Sequence, residues 1–171
     1  FGTTVGNSLR RILLSTIEGS AITSIRVKGA EHEFCTIEGV KQDMVDIVLN
    51  VKGLVVNVDS DEPKVLRLSA SGPGEVTADL IEADSTVTVF NPDHVIATLT
   101  EAVDFEMELT IERGRGYVPA AEQYATKDEQ IIGDLPIDAT FSPVQRVRYR
   151  VENTRVGQQT NFDRLILDIW T

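Results

Sequence analysis

The sequence is poor in the residues most often recruited for chemistry. In 171 residues it has one cysteine, Cys35, and two histidines, His32 and His94. A single thiol excludes an intrachain disulfide and a cysteine-rich zinc site, and it suits a reducing cytoplasm. Neither histidine has a second His or Cys at metal-ligand spacing. Positive charge is also scarce. Sixteen Lys and Arg face 27 Asp and Glu, a net charge of −11. So acidic a chain binds nucleic acid poorly over most of its surface. No apolar run approaches the ~20 residues of a membrane span. Gly72-Pro-Gly74 lacks a third glycine and a Lys-Ser/Thr pair, so it is not a nucleotide-binding loop. The chain opens on Phe1, without methionine or a signal-like segment, and closes inside a strand-like run ending at Trp170. The expectation is the ordered part of a longer chain.

What is present reads as a globular protein. Hydrophobic residues are 42% and charged residues 25%, which excludes disorder, a collagenous repeat and a coiled coil. The length fits about one domain, with room for two, and allows burial of roughly 70% of the unfolded surface.

The clearest local signal is a first helix, with Thr3 or Thr4 as its cap and Gly19 closing it. Val5, Leu9, Ile12, Leu13 and Ile17 form one apolar stripe at helical spacing. At ~100° per residue, Leu14 points almost opposite, beside Asn7 and Arg11. That second face is either an isolated exposed leucine or an interface. A second helix is expected between Gly39 and Lys52, closed by Gly53, with Asp43 and Asp46 on a solvated polar side.

Most of the rest alternates with period two. Residues 21–27, 105–112 and 145–152 are the cleanest strands, the last with three arginines on one face. Shorter strands are expected at 54–58, 65–70, 75–81, 86–90 and 94–99. Gly72-Pro-Gly74 and Asn91-Pro-Asp93 mark turns between them. The polar stretch 120–134 reads as a long surface loop. Charge divides the chain. Residues 1–17 with 144–171 hold seven bases and three acids, or +4. The remainder holds the other nine bases and 24 acids, or −15. An acidic insert between basic ends fits one domain interrupted by another.

Candidate chemistry is thin. His32 and Cys35 lie three apart, which on a strand puts them on opposite faces. Asp59-Ser-Asp-Glu62 lacks the glycine and distant glutamate of a calcium loop. Arg113-Gly-Arg-Gly-Tyr117 is either an anion-binding nest or, as we prefer, a tight strand connection. No carboxylate cluster for two-metal nucleotidyl transfer stands out. On residues alone, the chain reads as an interaction module.

Phe1-Gly-Thr-Thr-Val-Gly-Asn-Ser-Leu-Arg-Arg-Ile-Leu-Leu-Ser15 resembles the first helix of the bacterial RNA polymerase alpha-subunit family. The resemblance continues through His32-Glu-Phe-Cys-Thr-Ile-Glu-Gly-Val40, Leu49-Asn-Val-Lys-Gly53 and Arg113-Gly-Arg-Gly-Tyr-Val-Pro-Ala120. It closes with Phe141-Ser-Pro-Val-Gln-Arg-Val147 and Val151-Glu-Asn-Thr-Arg-Val-Gly-Gln-Gln-Thr160. These blocks keep the family's order and cover essentially the whole chain.

The resemblance implies the amino-terminal domain of alpha, an α+β fold. A discontinuous dimerisation domain, residues 1–17 and 144–171, has an antiparallel sheet packed by helices. A strand-rich insert domain, residues 18–143, interrupts it. The family's first strands, a later dimer-completing helix and a DNA-binding carboxy-terminal domain lie outside these residues. The family forms a homodimer, then recruits the beta subunit, then beta prime, in the bacterial cytoplasm at the nucleoid; contacts with transcription activators fit the same role. The enzyme implied is DNA-directed RNA polymerase, a nucleotidyltransferase. This chain would be a non-catalytic subunit without a cofactor of its own, the catalytic magnesium being held by beta prime.

Arg11 and Leu14 match the family positions that contact beta. Asp46, Lys52, Ile137, Ser142 and Arg164 match positions linked to beta prime. Asp46 replaces the usual glutamate and Arg164 the usual lysine, which keeps charge but alters reach. Val5, Leu9, Ile12, Leu13 and Ile17 are expected to pack on the sheet containing residues 146–152 and partly on a twofold-related copy. Two competitors remain. One is a stand-alone acidic hydrolase, which needs a cleft with two acids of unequal pKa. The other is the equivalent archaeal or nuclear subunit, against which a single cysteine argues. The purified chain is expected to make no RNA; template-dependent synthesis without other subunits would overturn that.

Overall fold

The computed structural model describes residues 1–82, 84–126 and 133–171. In chain order the elements begin with α1 (Gly2–Ser15), β1 (Glu18–Val27), α2 (Met44–Lys52), β2 (Val56–Val58) and β3 (Lys64–Ser71). β4 (Gly74–Thr77), β5 (Val87–Val89), β6 (Val95–Leu99), β7 (Asp104–Arg115) and β8 (Tyr117–Val118) follow. The chain ends with α3 (Ala120–Thr126), β9 (Asp134–Pro136), β10 (Ala139–Thr140), β11 (Arg146–Val156) and β12 (Gln159–Trp170).

The period-two pattern of β7 organises the larger part of the molecule. Phe105, Met107, Leu109 and Ile111 all point inward and are buried. β7 pairs antiparallel with β1 on one side and β3 on the other, and β9 extends the sheet in the order β3-β7-β1-β9. α2 covers the inner face with Met44, Ile47 and Val51, all buried. Each such side chain contributes ~1.5–3 kcal/mol of transfer free energy. The hairpin β11–β12 forms a separate two-stranded sheet, and α1 packs on it.

Several sequence expectations are corrected. α1 begins at Gly2 without a side-chain cap from Thr3 or Thr4. Instead Asp163, on β12, accepts the Gly2 N–H at 2.8 Å. A distant carboxylate does the work expected of a local hydroxyl. The helix ends at Thr16, and Gly19 lies inside β1. There the strand presses against the Phe141 carbonyl oxygen, leaving no room for a Cβ. α2 starts later than Gly39. Asp43 is its N-cap and accepts the Asp46 N–H at 2.8 Å, so Asp43 is more than a solvated charge. Gly53 ends α2 with φ −79°, not in the left-handed region. Strand β4 stops at Thr77 and gives way to a 3-10 turn. The expected loop contains α3, while residues 127–132 of it lie outside the described residues.

The apolar stripe of α1 is not a finished core face. Gly2 and Gly6 are its buried residues. A Cβ on Gly6 would sit 2.6 Å from Tyr149 and 2.9 Å from Leu165. Val5 and Ile12 are 49% and 53% exposed, whereas Leu9, Leu13 and Ile17 are half-buried. The glycines let the hairpin approach most closely on their own side. That approach turns Val5 and Ile12 outward.

Glu18 fastens the end of the β1–β7 pair at which β1 begins and β7 stops. It sits opposite Arg115 in the ladder and bonds the guanidinium through Nε at 2.9 Å. Arg113 Nη2 reaches its other oxygen at 2.9 Å. Arg115, then Arg113, hold the Glu18 carboxyl below its ordinary value. The arginine-glycine motif is therefore a strand connection whose cations are paired with Glu18 and, for Arg113, also with Asp61 at 3.5 Å.

Two outcomes are expected. Gly19→Ala should cost ~3 kcal/mol in urea unfolding, because a backbone carbonyl cannot rotate away. Gly72→Ala, at φ +86° in open space, should cost only ~1 kcal/mol of left-handed strain; the reverse order would refute this account. Glu18→Gln should lower Tm at neutral pH. A depressed carboxyl stabilises above its unfolded value, here 4.5, and that contribution is lost as pH falls through the lower folded value. The Tm difference between wild type and variant should therefore vanish in acid.

Candidate subunit interface

Arg11 stands exposed on α1 and makes no ion pair among the described residues. A guanidinium with five unspent donors suits a carboxylate-bearing partner. Leu14 departs from the expectation that it faces away from this chain's own packing. It is half-buried and lines a shallow groove with Arg10, Gln145, Arg146 and Tyr149. The groove exists because α1 settles on its glycine side, bringing Leu14 round to the edge of β11. Arg11 and Leu14 thus border the same helix surface, but only Arg11 is fully outside the fold.

A second group gathers at the C-terminal end of α2. Lys52, the last helical residue, donates to Asp138 Oδ2 at 3.0 Å. Asp138 lies between β9 and β10, flanked by buried Ile137 and Ala139. Its Oδ1 accepts the Ala120 N–H at 2.9 Å, where α3 starts. The Ala120 N–H, the Lys52 ammonium and the Tyr117 side chain keep this carboxyl below its ordinary range, outweighing partial burial. One carboxylate therefore joins α2, α3 and the β9–β10 turn. Sequence reasoning missed it. Its only sequence signal is an acid set inside the apolar run Leu135-Pro-Ile-Asp-Ala139.

The other candidate positions behave differently. Asp46 is exposed in the first turn of α2, with its N–H on Asp43. Ile137 is 2% exposed and donates its N–H to Thr23 at 2.8 Å. Its side chain therefore belongs to the core and is not presented at the surface of this chain, contrary to its expected place as a direct contact. Ser142 is half-buried, its hydroxyl engaged with the Val144 backbone. Arg164 is exposed on β12, opposite Glu152 in the hairpin register. The fold thus joins Lys52 with the Ile137–Asp138 pair and leaves Arg164 on the separate hairpin.

The catalytic alternatives lose ground. A cleft of about 650 Å³ on the outer face of the main sheet is lined by four acids, Glu31, Glu82, Glu106 and Glu108. The two on β7 are matched. Glu106 pairs with Lys28 at 3.0 Å, and Glu108 with Arg26 and Arg67 at 3.3 Å each. Glu108 stands directly opposite Arg26 in β1 and Arg67 in β3, so the cleft floor is a cross-strand charge ladder. His32 and Cys35 lie outside any named strand, in a turn. There the thiol donates to the His32 carbonyl at 3.0 Å, while Nδ1 accepts the Phe34 N–H. Among the described residues no three His, Cys, Asp or Glu side chains converge as a metal site.

Comparison with known proteins identifies the family. Residues 24–142 match the family described as RNA polymerase Rpb3/RpoA insert domain. The DNA-directed RNA polymerase subunit alpha of Rhodopirellula baltica is 54% identical over all 171 residues, which cover 51% of that protein. The subunit alpha of Corynebacterium efficiens is 54% identical over the whole chain and 50% of its own length. That of Bacillus velezensis is 53% identical, over 54% of its length. The chain thus spans about half the length of the curated relatives it matches. With the family match covering more than half of the sequence and the identity running end to end, the chain belongs to the bacterial RNA polymerase alpha-subunit family.

Proposed function

We propose that this chain serves as the assembly platform of the alpha subunit in bacterial DNA-directed RNA polymerase. The single observation carrying this is the 54% identity to an alpha subunit over all 171 residues of the chain. In this reading residues 1–17 and 144–171 form the dimerisation part, and residues 18–143 the insert. Val5 and Ile12, left exposed on α1, are covered by a second copy of the chain. Arg11 and Leu14 meet the beta subunit. Asp46, Lys52, Ser142 and Arg164 meet beta prime, and Ile137 supports that surface from within. The chain carries no step of nucleotidyl transfer, and magnesium chemistry belongs to beta prime. It works in the bacterial cytoplasm at the nucleoid. Activator contacts use its exposed surface, while promoter DNA is bound elsewhere in alpha.

The geometry makes Arg11 the cleanest probe. Leu14 contributes to the groove beside β11, so truncating it mixes binding with folding. Arg11→Ala should change stability by no more than ~0.5 kcal/mol. In full-length alpha it should weaken recruitment of beta by ~2 kcal/mol, as at an interface hot spot. Dimerisation should be nearly unchanged. A pull-down of beta by wild-type and variant alpha, with Tm and dimer constant measured in parallel, checks this. Normal recovery of beta, or loss only alongside unfolding, would show that the docking face lies elsewhere.

A further inference from the structure

The corner built on Asp138 has a property that the proposed function does not require. Its carboxylate is fixed before Lys52 reaches it. Ile137 and Ala139 on either side are buried, and the Ile137 N–H is tied to Thr23 of β1. Oδ1 is occupied by the Ala120 N–H. Oδ2 is left to meet Lys52 Nζ at 3.0 Å. Lysine carries a flexible four-carbon stem, and Lys52 is the last residue of its helix. Its side chain is 34% exposed, so the ammonium is held at the surface rather than sealed inside. One of its three donors is spent on Asp138, leaving two for an outside acceptor.

We propose that Asp138 is a positioning residue for docking of beta prime: it holds the Lys52 ammonium at the corner of α2 and the β9–β10 turn, ready to meet a carboxylate of the partner. This rests on the reading of Lys52 as a beta-prime contact. Asp138 itself need not touch the partner. Its contribution is to remove, before association, the side-chain freedom that binding would otherwise have to remove.

The test is a double-mutant cycle in full-length alpha. Alpha dimers are loaded with beta, and the affinity for beta prime is measured for wild type, Lys52→Ala, Asp138→Asn and the double variant. Asparagine keeps an acceptor for the Ala120 N–H and removes the charge that holds Lys52. Each single change is expected to weaken beta-prime binding about tenfold, the scale of immobilising one side chain. The double variant should be no weaker than Lys52→Ala alone, because Asp138 acts only through Lys52. Dimerisation and beta binding should not change, a pattern that general structural damage would not give. If Lys52→Ala weakens binding while Asp138→Asn does not, or if the two losses multiply, the positioning role is overturned and the proposed function stands. If Lys52→Ala has no effect, the reading of Lys52 fails and this inference with it. Should Asp138→Asn melt below the assay temperature, the cycle is run with Asp138→Glu. The same non-additivity is then required, and multiplied losses overturn the proposal.

Discussion

Strand β7 carries the constraint on which most of the structure depends. One face of its alternation is apolar, and it is paired along both edges, so its register fixes β1 and β3 at once. A slip by one residue would turn Met107 and Leu109 to solvent and bring Glu106 and Glu108 into the core. The charge ladder on the outer face reinforces the same register. Glu108 meets Arg26 and Arg67 only when both neighbours are correctly placed. Each exposed pair is worth little by itself. Their agreement with the buried face gives a single solution for the sheet, from which α2 and the β9–β10 turn take their positions.

Isolated acids do the joining where regular elements end. Asp163 receives the first free N–H of α1, Glu18 gathers two arginines, and Asp138 connects a helix end to a helix start. Each sits far in sequence from its partners. These contacts recruit unsatisfied backbone donors and flexible cations into fixed geometry. They do so without adding to the hydrophobic core. This explains how an acidic chain uses its charge surplus locally.

The strand and helix periods were readable because each element has one buried face. β7, β11 and the body of α2 were therefore placed within a few residues. The boundaries were not, because the decisive groups come from elsewhere. Nothing near Thr3 reveals that Asp163 will take the cap position, and nothing near Ala120 reveals that Asp138 will start α3. The helical wheel located the apolar stripe of α1 correctly but misjudged which part would pack. Wheel arithmetic weighs side chains, whereas closest approach is decided by Gly2 and Gly6, which have none. Arg11 was legible as an outward cation. Ile137 was read as a surface contact, whereas its side chain is buried in the core.

The contact between Gly19 and Phe141 has a consequence for how the chain is laid out in space. The path that leaves α1 and runs outward through β1 comes back, at Phe141, to touch the point from which it departed. Departure and return share one doorway. The long excursion between them therefore starts and finishes at one place, so the separation of α1 from β11 is set by that contact and not by the length of chain between.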